Sequence, residues 1–318
     1  MHGVILDAES LGKGDVDLGP ITGTLDSWDI HPFTEAQDTA SRIAGADVVL
    51  SNKIKLDADI LAQADSLKLI SIMATGTNNV DLDAARQQQV TVCNAVGYAT
   101  PSVVQHTFAM LLSLATQIDR YRQAVAAGAW QEAKVFCLLD FPILELAGKT
   151  LGIVGQGTLG SGVGKVAEAL GMNVLFSQKI GVPDQTPGRL AFSEVLSAAD
   201  VLSLHCPLTP ETTCLINHDT LAQMKPGALL INTARGGLID SPALIDALAS
   251  GSLAGAAIDV LDTEPPSADE PLLAFQHERL LITPHNAWGS LESRQRLVEQ
   301  MRSNILNFIA GSPGNLVG

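Results

Sequence analysis

The stretch Lys149-Thr150-Leu151-Gly152-Ile153-Val154-Gly155-Gln156-Gly157-Thr158-Leu159-Gly160 holds the clearest structural signal in the chain. Its apolar run leads directly into Gly-x-Gly-x-x-Gly, the pattern of a strand that turns sharply into a helix. Gly155 permits the tight turn, and Gly157 lets backbone approach a phosphate with no Cβ in the way. Gly160 lets the helix pack closely on the strand. The helix start offers unpaired N–H groups and the positive end of its dipole to an anion. A turn of this kind cradles the pyrophosphate of a dinucleotide. Ala147-Gly148 leads into the strand, and Gly171 to Phe176 supplies a second strand about one helix length later.

Strands and helices alternate on both sides of this turn. Upstream, Val4–Leu6, Ala46–Leu50, Leu67–Ile72 and Val90–Val92 read as strands. The helical stretches 57–64 and 81–88 carry Asp57 and Asp81 at their starts, where a carboxylate caps N–H groups. Downstream, Val174–Phe176, Val201–Leu204, Ala228–Ile231, Ala256–Ile258 and Leu280–Ile282 read as strands, with helices near 193–198 and 242–251 between them. Repeated strand, helix, strand order predicts parallel sheets with right-handed crossovers, an α/β fold of two doubly wound domains. From Pro101 to Ala127 the pattern predicts one long apolar-rich helix, ended by Gly128. Gly162 and Gly164 weaken the helix after the turn by about 1 kcal/mol each relative to alanine, which suggests close packing there.

Composition narrows the class of function. A chain of 318 residues exceeds what one hydrophobic core usually supports, so two domains are expected. The net charge of −15 argues against nucleic acid or an anionic membrane surface as the partner. Cys93, Cys137, Cys206 and Cys214 form no Cys-x-x-Cys pair and are too sparse for a disulfide framework. No secretory pattern opens the chain, and no apolar run approaches the length of a membrane span. A cytoplasmic enzyme is expected.

In doubly wound sheets the ligand lies beyond the carboxyl ends of the strands. The residues there are Cys206-Pro207, Asn232-Thr233-Ala234-Arg235, Asp259 and Thr283-Pro284-His285. A guanidinium at Arg235, followed by two glycines, can grip a carboxylate with a bidentate fork, although a solvated arginine would also fit the position. Glu264 stands before Pro265-Pro266 on a loop those prolines stiffen. Of the seven histidines, His285 combines a strand end, a preceding proline and a following Asn286-Ala287-Trp288. His205 is its rival by position, and His106, inside the long helix, reads as a packed or hydrogen-bonded histidine.

Several motifs occur in a fixed order: Ala74-Thr75-Gly76 through Asp81, the Gly155 turn, His205 through Pro210, Met224 through Gly237, Asp259 through Pro265, and Thr283-Pro284-His285. Together they resemble the D-isomer-specific 2-hydroxyacid dehydrogenases over nearly the whole chain. Asn52-Lys53, Ala74-Thr75-Gly76, Asp140-Phe141-Pro142 and Pro284 through Trp288 look most like the glycerate dehydrogenase or hydroxypyruvate reductase branch. The resemblance implies a substrate domain of flavodoxin-like topology built from residues 1–99 and 288–318. A Rossmann nucleotide domain, residues 100–287, would be inserted into it, with the active site in the cleft.

It also implies the roles of individual residues. His285 would donate the proton as hydride reaches the carbonyl carbon of a 2-oxo acid, Glu264 would orient the imidazole, and Arg235 would bind the substrate carboxylate. Asn52, Lys53, Thr75, Gly76 and Trp288 would complete the substrate pocket. Thr107, Gly155, Gly157, Thr158, Leu159, Gly160, Gln178, Lys179, Cys206, Pro207, Thr233, Ala234, Arg235, Asp259 and His285 would contact the cofactor. No metal is required. A NAD-specific relative would carry an acid where this chain has Gln178, followed by Lys179, so NAD(H) and NADP(H) both remain open. Partners would be a small 2-oxo or 2-hydroxy acid and a second copy of the chain in a homodimer. A D-lactate-type dehydrogenase is the alternative enzyme, and a dinucleotide-sensing corepressor the alternative outside enzymes.

Overall fold

Alternate residues of the strands after the glycine turn are buried on opposite faces of one sheet, which is what a doubly wound domain requires. A computed structural model describes residues 1–182 and 186–317. Its strands β6 (Thr150–Val154), β7 (Asn173–Phe176), β8 (Val201–Leu204), β9 (Ala228–Asn232), β10 (Leu253–Ile258) and β11 (Leu280–Ile282) pair in parallel in the order β11-β10-β9-β8-β6-β7. Leu202, Leu204, Leu230 and Ile258 join one core with Val195 and Leu196 of helix Phe192–Ala198 and Leu244 and Leu248 of helix Ser241–Ala249. Ile153, Val201, Leu229, Ile231 and Ala257 join the opposite core with Phe108, Leu111 and Val163.

Helix Thr158–Ala169 crosses helix Thr100–Thr116 at close range because of its glycines. A Cβ on Gly162 would stand 2.9 Å from Val104, and one on Gly164 would stand 3.0 Å from Phe176. The single helix expected over Pro101–Ala127 is two helices, Thr100–Thr116 and Ile118–Ala126. Gln117 between them has a left-handed φ of 57°. Its buried side chain donates to the Leu114 carbonyl at 2.7 Å, so an internal hydrogen bond, not a glycine, sets the break. Gly128, with φ of 87°, follows the end of the second helix.

The other sheet has strands β1 (His2–Ile5), β2 (Ser27–Ile30), β3 (Val48–Ser51), β4 (Leu69–Ile72) and β5 (Thr91–Cys93), all parallel, in the order β2-β1-β3-β4-β5. Asp57 and Asp81 cap the helices that follow them, accepting from the Ile60 and Ala84 amides at 3.1 and 2.9 Å. Helix Leu291–Ile309 returns to this sheet, burying Leu297, Val298, Met301 and Ile305, while Asn304 donates to Ser71 Oγ and the Asn94 carbonyl. The chain thus divides into two units, one of Met1–Ala99 with Gly289–Gly318 and one of Thr100–Trp288. Among the described residues no helix is long and apolar enough to cross a membrane.

Candidate active site

In the second unit the strand order reverses at β6 and β8, where ligands enter doubly wound sheets. Gly155, with φ of 103°, lies so close to His205 and Cys206 that a Cβ would stand 2.6 Å from their backbone. A Cβ on Gly160 would stand 2.0 Å from the Gly155 carbonyl oxygen. Gly157 differs, since nothing lies within 4 Å of its missing Cβ. It caps helix Thr158–Ala169 with no side-chain hydrogen bond, and the amides of Thr158, Leu159 and Gly160 have no acceptor among the described residues. An open, uncapped helix start above a glycine fits a pyrophosphate. Thr107 and Thr233, both buried, lie 3.3 Å apart through their hydroxyls. Pro207 is exposed, and burial pushes the Cys206 thiol up to about 11, so that sulfur stays protonated.

β9, β10 and β11 lie side by side and end together, and their ladder continues past the strands. The Asp259 amide donates to the Asn232 carbonyl at 2.9 Å, and the His285 amide donates to the Asp259 carbonyl at 2.8 Å. Asn232 then closes the Arg235 loop, donating to the Arg235 carbonyl at 2.8 Å and accepting from the Ala234 amide at 3.0 Å. Gly236 packs on the next loop so tightly that a Cβ would stand 2.0 Å from the Leu261 carbonyl carbon. Leu261 in turn donates its amide to Glu264 Oε1 at 2.9 Å. The other Glu264 oxygen lies 2.5 Å from His285 Nδ1. The three residues predicted as a set therefore sit on adjoining loops. Glu264 and His285 are paired, and the exposed Arg235 spends one nitrogen on the Ala234 carbonyl at 2.6 Å.

His285 adopts a left-handed φ of 50°, held by its neighbours. Asp259, 1% exposed, accepts from the Thr283 hydroxyl at 2.6 Å and from the Asn286 and Ala287 amides, both at 3.0 Å. Its carboxylate is therefore committed to the histidine loop. His106 Nε2 stands 3.0 Å from Thr283 Oγ1 and 3.5 Å from Asp259, so the histidine read as hydrogen-bonded braces this loop from the helix. The Trp288 indole donates to the His285 carbonyl at 3.0 Å. His205 serves the sheet: its Nε2 lies 2.8 Å from Ser203 Oγ, and desolvation holds it down at about 4.

In the first unit, Asn52 and Lys53 follow β3, and Thr75 and Gly76 follow β4. Sequence reasoning missed Asp7, which follows β1 and bonds to the Asn52–Lys53 loop. Its buried carboxylate accepts from the Asn52 amide at 2.9 Å and the Lys53 amide at 2.7 Å. Burial pushes its carboxyl above the usual range, against those amides. Inspection of every strand end, rather than those of the second sheet alone, would have found it. The Thr75 and Gly76 amides have no acceptor among the described residues, and the Thr75 carbonyl accepts from Asn94 at 2.8 Å.

A sequence profile described as "D-isomer specific 2-hydroxyacid dehydrogenase, NAD binding domain" matches residues 108–287. A glycerate dehydrogenase of Methylorubrum extorquens is 42% identical, over 99% of this chain and 98% of the relative. A hydroxypyruvate reductase of Blautia hydrogenotrophica is 37% identical over the same shares, 99% and 98%. Among solved structures, the TT0316 protein of Thermus thermophilus superposes with a TM-score of 0.87 at 34% identity, covering 100% of both chains.

Proposed function

Because this chain belongs to the D-isomer specific 2-hydroxyacid dehydrogenase family, we propose that it interconverts a small 2-oxo acid and its D-2-hydroxy acid, hydroxypyruvate or glyoxylate first. The observation that carries this reading is the Glu264–His285 pair, set at the ends of adjoining strands beside the Arg235 loop. Glu264 accepts from Nδ1, which leaves Nε2 as the ring atom that gives a proton to the substrate oxygen. The left-handed turn and Asp259 fix the direction of that ring. Arg235 binds the substrate carboxylate and draws charge toward the carbonyl oxygen. Asn52, Lys53, Trp288 and the amides of Thr75 and Gly76 are assigned to the same acid.

The nicotinamide cofactor supplies or accepts the hydride when bound. Gly155, Gly157 and the amides of Thr158, Leu159 and Gly160 would hold its pyrophosphate. Thr107, Gln178, Lys179, Cys206, Pro207, Thr233, Ala234, Arg235, Asp259 and His285 are assigned to the rest of the cofactor. The four cysteines stand as free thiols, which supports a reducing compartment such as the cytoplasm. A homodimer is supported by apolar side chains the chain leaves bare, Ile118 at 60%, Val135 at 65%, Phe136 at 89% and Leu139 at 77% exposure. The test is a panel of 2-oxo acids, including hydroxypyruvate, glyoxylate and pyruvate, assayed with each reduced nicotinamide nucleotide. Turnover of hydroxypyruvate or glyoxylate above pyruvate is expected, and no reduction of any 2-oxo acid would refute the reading.

A further inference from the structure

We propose that this chain selects the 2′-phosphorylated dinucleotide, NADP(H), and that Arg189 with Lys179 reads the phosphate. The inference rests on the assignment of the Gly155–Gly160 turn to the pyrophosphate, and it concerns the adenosine end of the same ligand. In a doubly wound domain the residue at the end of the second strand decides this point. An acid there binds the ribose hydroxyls of NAD, whereas an arginine nearby accommodates the phosphate of NADP.

Here that strand end carries Gln178, and its amide is already engaged. Its Oε1 accepts from the Thr186 amide at 2.9 Å, and its Nε2 donates to the carbonyls of Thr186 and Arg189 at 3.0 and 3.1 Å. Gln178 therefore acts as a clamp on Thr186 and Arg189. A parallel bridge sets Leu190 beside Ser177, just past the end of β7. The clamp delivers Arg189 to the glycine turn. Arg189 Nε donates at 2.8 Å to the side chain of Gln156, the residue between Gly155 and Gly157. Its two terminal nitrogens have no partner among the described residues, and they form the fork that suits a phosphate. Lys179 is exposed next to the clamp. Glu211 packs against Gly181 nearby, yet among the described residues neither cation forms an ion pair. In a chain of net charge −15, two such cations flanking the ribose position form a phosphate-selective site.

Direct binding tests this without turnover. Calorimetric titration of the wild-type protein with NADPH, NADH, 2′,5′-ADP and ADP should show NADPH tighter than NADH by about ten-fold or more, and 2′,5′-ADP tighter than ADP. Arg189→Ala should weaken NADPH and 2′,5′-ADP by about ten- to a hundred-fold while NADH stays within about two-fold. Lys179→Ala should act in the same direction, less strongly, and salt should erode the NADPH preference. Equal or tighter binding of NADH by the wild-type protein, or equal losses for both nucleotides in Arg189→Ala, would overturn the proposal. If neither nucleotide bound, the pyrophosphate assignment beneath it would fall as well.

Discussion

His285 is constrained from three sides: Nδ1 by Glu264, the amide by the Asp259 carbonyl, and the following turn by the Asp259 carboxylate. Replacing Glu264 with Gln keeps an acceptor and removes its charge, so kcat should fall by about ten-fold or more with little change in KM. An unchanged kcat would show that the charge does no work. Arg235→Lys should instead raise KM by about ten- to a hundred-fold, because a point charge cannot reproduce the fork; unchanged kinetics would remove Arg235 from substrate capture. His205 makes a separate prediction about stability. Its folded value of about 4 lies below the ordinary 6.5, so the unfolded chain takes up a proton that the folded chain refuses. Its contribution is complete above 6.5 and is lost as pH falls toward 4, by up to about 3 kcal/mol. Between those limits the urea midpoint of the wild-type protein should fall more steeply than that of His205→Asn, and parallel curves would contradict the assignment. The sequence favoured His285 over His205 through its proline and flanking residues. The Ser203 bond that ties up the rival was not legible, because it depends on where β8 ends in space.

Among the elements, the strands legible in sequence were those that carry an apolar run, the partly exposed β7 and β11 included. β2 was not among them: Ser27-Trp28-Asp29-Ile30 lies at a sheet edge and is mostly exposed, so it carries no such run. The split in the long helix was hidden for a related reason, since Gln117 takes the left-handed conformation without being glycine. The glycine turn was legible, and the structure separates its parts. Gly160→Ala should lower the melting temperature, because its Cβ would meet the Gly155 carbonyl oxygen at 2.0 Å, an overpacking cost of about 1–3 kcal/mol or more. Gly157→Ala, at φ of −82° with nothing within 4 Å, should melt normally yet bind nucleotide more weakly. Equal melting of the two variants would refute that division. In the other sheet, Asp7→Asn would place an amide group where two N–H groups now donate. It should raise KM for the 2-oxo acid by about ten-fold through the Asn52–Lys53 loop while nucleotide affinity stays constant. A constant KM would leave Asp7 a purely structural group.

For the whole molecule, the exposed apolar segment around Phe136 and Leu139 argues for a second copy of the chain. Light scattering should give twice the chain mass of 33.3 kDa, and Phe136→Asp with Leu139→Asp should shift it toward the monomer. A wild-type monomer would remove the dimer from the account. The ordered motifs revealed the family, while the fit of the Arg235, Glu264 and His285 loops came only with the fold, because Asn232, Asp259 and Gly236 bring distant segments together. The role proposed for those loops is to hold one imidazole where it can protonate a substrate oxygen. The measurement that tests this most directly is the rate of 2-oxo acid reduction by His285→Ala at saturating cofactor, with nucleotide affinity measured alongside. The rate should fall by about 10²- to 10⁴-fold with affinity unchanged, and a rate within about two-fold of the wild type would take the proton-donor role away from His285.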